Sequence, residues 1–214
     1  MPQKDDFLMR QQERLRETVL RAEELYDLNP DEALACLRGA TRELVGLEHG
    51  LAARLPAGEL LRLLGPTGSP DLERLLVLAG LLDAEHELLA RSGVGDPAGA
   101  ERVLELYLAA LTAEPGFAPD YAERLDALTQ GTDALPVSLR ADLAAAYRHA
   151  GRFAAAEDWL YRWGEAEPEA AGRWAEGFYR ELLGLPDGAL VAGGLPRDEV
   201  EEGLANAAQI GHRV

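Results

Sequence analysis

The chain has 214 residues, 47% of them hydrophobic, with 38 acidic against 21 basic side chains and a net charge of −17. That length can build one sizeable core or two closely packed halves, while the acidic field opposes duplex nucleic acid and anionic membrane surfaces, which are bound through Lys and Arg. Cys36 is the sole cysteine, which rules out an internal disulfide and a cysteine-rich zinc site.

Good helix formers dominate, Ile210 is the one isoleucine, and no segment shows the alternation of a strand. Asp5 or Asp6 can cap a first helix running to about Tyr26. Its apolar stripe (Leu8, Leu15, Val19, Ala22, Tyr26) is narrow enough to suit a single neighbour or a second copy. Asn29-Pro30-Asp31-Glu32 opens the next helix with a capping residue, a proline and two acids. This helix should reach about Leu47 and bury Ala33, Leu37, Ala40, Leu44 and Leu47. A short helix is expected over 56–64, then a break over 65–70.

Ser69 and Pro70 are placed to cap and open the most apolar helix, ending near Gly93. Leu72, Leu75, Ala79, Leu82, His86 and Leu89 share one face, and Leu76, Leu78 and Leu81 widen it, so burial on several sides is expected. Gly80 inside it costs about 1 kcal/mol against alanine, which a closely approaching helix would offset. Asp96-Pro97 restarts the chain as a helix to Ala113, and a short helix over 119–128 carries Tyr121, Leu125 and Leu128. A polar turn over 129–133 follows.

Residues 138–168 read as a helical hairpin. Leu139, Leu143, Ala146 and Tyr147 line one arm, Phe153, Ala156, Leu160 and Trp163 the other, with Gly151 at the reversal and Pro168 at the end. A helix to about Leu183 should bury Ala171, Trp174, Phe178 and Leu182. Gly193-Gly194 forms a turn, and a last helix over 196–208 turns Val200, Leu204 and Ala207 inward.

Tyr147, Gly151, Ala156, Leu160 and Pro168 together resemble a tetratricopeptide repeat, a helix–turn–helix of about 34 residues. Trp163 departs from that pattern. Val103, Tyr107, Ala110 and Pro115 keep the same mutual spacings as Ala156, Leu160, Trp163 and Pro168, which suggests an internal repeat. The segment GGLPRDEVEEGL resembles the tail of a bacterial family of unknown function with helical, tetratricopeptide-like repeats. These resemblances imply an all-α protein of stacked antiparallel hairpins in a right-handed superhelix with irregular linkers. One helical domain over 1–214 is expected, with sub-regions 1–65 and 66–214.

No catalytic, cofactor or metal signature is assigned. His86 lies in DAEHE, where Asp83 and His86 stand three apart and could reach one metal, with Glu87 beside them. Carboxylate-bridged metal bundles need a pair of Glu-x-x-His motifs, and only one imperfect version is present. Cys36 reads as a small hydrophobe with no activating base. Gly193-Gly194 lacks the Lys-Ser/Thr of a phosphate-cradling loop. Trp159, Tyr161 and Trp163 cannot all point one way, so at least one ring should be partly exposed and anchor a partner. The acid runs 83–87, 157–158, 165–169 and 198–202 read as solvated faces able to prefer a basic peptide. The start MPQKDDFLMRQQ argues against a signal peptide and the apolar run 75–82 is too short to span a bilayer, so a cytoplasmic location is expected. The resulting expectation is a non-enzymatic helical-repeat protein that contacts another protein, a peptide or itself. A metal-binding protein or enzyme using His86 with Asp83 and Glu87 is the alternative.

Overall fold

The computed structural model describes residues 2–65, 71–95, 97–130 and 135–210. Every regular element among these residues is helical, and no strand occurs among them. Two compact units, 1–113 and 114–214, divide the chain.

The first unit holds α1 (Pro2–Tyr26), α2 (Pro30–Ala40), α3 (His49–Ala52), α4 (Ala57–Leu64), α5 (Leu72–Arg91) and α6 (Pro97–Ala113). The helix α1 begins ahead of Asp5 and Asp6, so neither is its cap. Asn29 caps α2 as its sequence requires, its side-chain oxygen accepting the Glu32 N–H at 3.3 Å. A wider π turn, Thr41–Val45, extends α2 and stops at Gly46 with φ 74°. Leu47 therefore lies beyond the helix and is only partly covered. Ser69 and Pro70 lie outside the described residues; Asp71 caps α5 instead, accepting the Arg74 N–H at 3.1 Å.

The helix α5 is the centre of this unit. It packs against α1, α2, α4 and α6, and from Leu75 to Glu85 every residue but Gly80 is buried. A Cβ on Gly80 would sit 2.8 Å from Leu15 Cδ2 of α1. Close helix approach thus explains the glycine, as its helix-breaking cost demanded.

The second unit opens with a 3₁₀ turn, Pro115–Phe117. It continues with α7 (Ala118–Thr129), α8 (Val137–His149), α9 (Phe153–Gly164), α10 (Pro168–Leu183), α11 (Asp187–Ala192) and α12 (Arg197–Asn206). Gly151, at φ 72°, turns α8 into α9. The Arg152 N–H reaches the Tyr147 carbonyl at 2.9 Å and the Gly151 N–H that of Arg148 at 3.1 Å, a Schellman cap. At the far end the Arg140 guanidinium donates to the Arg162 carbonyl at 2.8 Å. The start of α8 thus meets the end of α9, and the two run antiparallel. The short α11 was not foreseen; its closing turn docks on the α8–α9 reversal through the Ala154 N–H and the Gly193 carbonyl at 3.0 Å. A Cβ on Gly193 would lie 2.2 Å from the Phe153 ring. Val200 and Ala207 are buried as expected, whereas Leu204 and Trp174 are only partly covered.

Three tyrosines join successive helices by the same device. Each donates its hydroxyl to a carboxylate on the helix before it: Tyr107 to Asp83 at 3.2 Å, Tyr147 to Asp126 at 2.7 Å, and Tyr179 to Glu157 at 2.6 Å. Burial, then the partner carboxylate, pushes the Tyr147 and Tyr179 phenols above their ordinary value.

Two glycines of the second unit should respond oppositely to alanine. Gly203 of α12 presses on Tyr179, where a Cβ would lie 2.3 Å from a fully buried ring. Gly203→Ala should therefore destabilise the protein by about 1–3 kcal/mol. Gly177 of α10 is exposed, with nothing near an added Cβ. Gly177→Ala should stabilise it by roughly 0.5–1 kcal/mol. Urea denaturation of both variants checks the pair.

Candidate functional site

Of the three α9 aromatics, one ring is partly exposed, as the sequence requires, and two are buried. Trp159 is 7% and Trp163 8% exposed, so both rings lie in helix packing. Trp163 donates its indole N–H to Glu167 at 3.0 Å and meets Trp174 edge-on with centroids 6.3 Å apart. Tyr161 is the partly exposed member of the three. Burial is possible because α8 covers one side of α9 and α10 the other, so a four-residue spacing points both tryptophans toward neighbours.

The acidic run of α5 is not solvated either: Asp83 and Glu85 are buried. Asp83 turns into the α5–α6 contact to meet Tyr107, while His86 is partly exposed against Gly99. Among the described residues no three His, Cys, Asp or Glu side chains converge as metal ligands, so the grouping of Asp83, His86 and Glu87 lacks that geometry. Cys36 is partly exposed rather than buried and lines a shallow groove with Thr18, Leu25 and Gly39.

Glu85 is the hub of a polar array whose partners sequence reading missed. One carboxylate oxygen accepts from Arg38 Nε at 2.7 Å, and the other lies 2.9 Å from His49 Nε2. His49 Nδ1 is 3.4 Å from Thr41 Oγ1, which in turn lies 3.2 Å from the Leu37 carbonyl. Burial alone would raise the Glu85 carboxyl; the hydrogen bonds from His49 and Arg38 outweigh it and hold it below its ordinary value. A neutral His49 ring donates to Glu85 and accepts the Thr41 hydroxyl. A charged ring donates to both, and Thr41 then turns its proton to Leu37.

Hydroxyl, imidazole and carboxylate in this order form the relay of nucleophilic catalysis. Thr41, however, is fully buried, and its hydroxyl points back along its own helix. No substrate atom can approach it, so the array acts as a lock between α2, its π extension, α3 and α5. The partners stand 47 and 36 residues apart in sequence, where no helical spacing rule connects them. The available signal was an acid whose helical neighbours three and four residues away, Leu81, Leu82, Leu88 and Leu89, are all apolar, since a buried carboxylate requires a donor.

The second unit carries an open groove of about 630 Å³ between α7 and α9. Glu123 and Asp126 come from α7, Asp158, Trp159 and Arg162 from α9, and Tyr147 from α8. The Arg162 guanidinium lies 4.6 Å over the Trp159 ring, a cation–π contact. Asp126 is held by Tyr147 and Arg152, whereas Glu123 and Asp158 are exposed on opposing helices. The edge of Trp159 borders this space even though most of its ring is covered.

The Glu85 lock can be tested by pH. Its depressed carboxyl contributes stability that is present above the ordinary glutamate range and lost as pH falls through and below it. Glu85→Gln should cost about 1–3 kcal/mol near pH 7, and its deficit against wild type should shrink toward zero below about pH 4. Urea midpoints across pH give this difference.

A cytochrome c biogenesis ATP-binding export protein, CcmA, from Paramagnetospirillum magneticum is 48% identical over 60 residues, which is 28% of this chain. The matched stretch spans 26% of that relative's length. No solved structure matches the chain significantly. The family of unknown function DUF6483 matches residues 3–211. That match runs through both units and takes in the Glu85 lock and the α7–α9 groove alike, and the chain belongs to this family.

Proposed function

We propose that this protein is a non-catalytic, cytoplasmic helical-repeat scaffold of tetratricopeptide type, docking a basic peptide segment of another protein in the α7–α9 groove. The observation that carries the reading is the groove itself, lined by the exposed carboxylates of Glu123 from α7 and Asp158 from α9. A cationic side chain entering there meets the carboxylates of Glu123 and Asp158, the contacts that hold Lys and Arg, while Arg162 occupies the Trp159 face. Repeat character is supported by the antiparallel α8–α9 hairpin, by Gly151 at its reversal, and by the tyrosine bonds of three helix pairs. No helix among the described residues is long and apolar enough to cross a membrane.

The ATP binding in the name of the export protein does not transfer. A phosphate-cradling loop ends in Lys-Ser/Thr after a glycine-rich run. Lys4 is the only lysine here, and Asp5 follows it.

Isothermal titration with an Arg/Lys-rich peptide tests the proposal. Wild type should bind with an affinity that falls as salt rises. The variant with Glu123→Arg and Asp158→Arg should lose at least about tenfold, or roughly 1.4 kcal/mol. Absence of heat, or equal binding by the variant, would overturn the reading. Sedimentation of the free protein distinguishes a foreign peptide from a second copy as occupant.

A further inference from the structure

A smaller recess lies wholly within the first unit, between α5 and α6, and is chemically unlike the α7–α9 groove. It encloses about 350 Å³, within the range of small-molecule sites. Leu82, Leu89 and Val103 form its apolar walls. The charges around it are already compensated. Glu85 holds Arg38 and His49, and Arg102 holds Glu105 and the carbonyls of Leu55 and Ala52. His86 is the polar side chain of its lining with no hydrogen bond, ion pair or ring contact, and Arg102, otherwise engaged, keeps its buried Nε without a partner. The partly exposed ring comes close to α6 because residue 99 is glycine: a Cβ there would lie 2.9 Å from His86 Nδ1. An unengaged imidazole in an apolar recess with balanced charges complements a ligand with one polar group and no net charge.

We infer that this cleft binds a small uncharged amphipath whose apolar body lies against Leu82, Leu89 and Val103 and whose single hydrogen-bonding group meets His86. An anion or cation would have to leave water without an opposite charge to meet it, which is costly. A purely apolar molecule would leave the imidazole unsatisfied.

Benzyl alcohol, toluene, benzoate and benzylammonium share a ring and differ in this one property. In NMR titrations of the full chain, benzyl alcohol should give saturable shifts at amides of residues 82–103, at least about threefold tighter than toluene and tighter than either ion. His86→Ala should bring benzyl alcohol to the toluene value. Leu89→Trp, which fills the cleft, should abolish the shifts of both while circular dichroism stays helical. Ala98→Phe from the opposite wall is the replacement if Leu89→Trp does not fold. Tighter binding of either ion, shifts that persist in the filled variant, or no saturable shift with any probe would overturn the inference. None of these outcomes bears on peptide binding at the α7–α9 groove.

Discussion

A carboxylate drawn wholly or partly out of water needs a donor within reach, and between three successive helix pairs that donor is a tyrosine. Tyr107, Tyr147 and Tyr179 each reach back to an acid on the preceding helix, over separations of 24, 21 and 22 residues. Apolar burial pulls the helices together without direction. The hydroxyl bonds then fix which turn of one helix faces which turn of the next. Glu157 shows the tension most plainly. Burial raises its carboxyl most, the Tyr179 hydroxyl draws it back, and Asp158, Glu199 and Glu202 push it up again. The tyrosine therefore joins α9 to α10 against a local surplus of negative charge.

The same demand explains why the one array that looks catalytic is structural. Burying α5 on nearly all sides removes Glu85 from solvent, and Arg38 and His49 arrive from two other helices to offset its charge. Thr41 completes the hydrogen bonding of the imidazole from a buried position. Once these groups are engaged with one another, unengaged side chains remain at the two recesses. Glu123 and Asp158 line the groove of one unit, and His86 lines the smaller cleft of the other. The two differ in chemistry: the groove of 114–214 is lined by charged side chains and the cleft between α5 and α6 mainly by apolar ones.

Much of the fold was legible because helix signals are local. Asn29 as a cap, Gly151 as a reversal, Pro168 as a start and Gly80 as a close approach all follow from backbone chemistry within a few residues. The burial of Ala33, Leu37, Leu143 and Ala156 follows from period alone. Less could be read where packing on a second helix decides. Trp159 and Trp163 look like surplus aromatics along one helix, and only α8 and α10 on either side show that both are covered. Asp83 and Glu85 look like a solvated run until α6 and α2 supply Tyr107 and Arg38 from 24 and 47 residues away. The groove shares this character, since Glu123 and Asp158 are brought opposite each other by tertiary folding.

The most direct test of the tyrosine–carboxylate principle is a double-mutant cycle on one pair. Tyr179→Phe, Glu157→Ala and the combined variant, each denatured with urea near pH 7, isolate the bond between α9 and α10 from the other effects of each change. The account requires a favourable coupling of about 1.5–3 kcal/mol, the value of a hydrogen bond to a charged group. Simple additivity of the two single changes would contradict it.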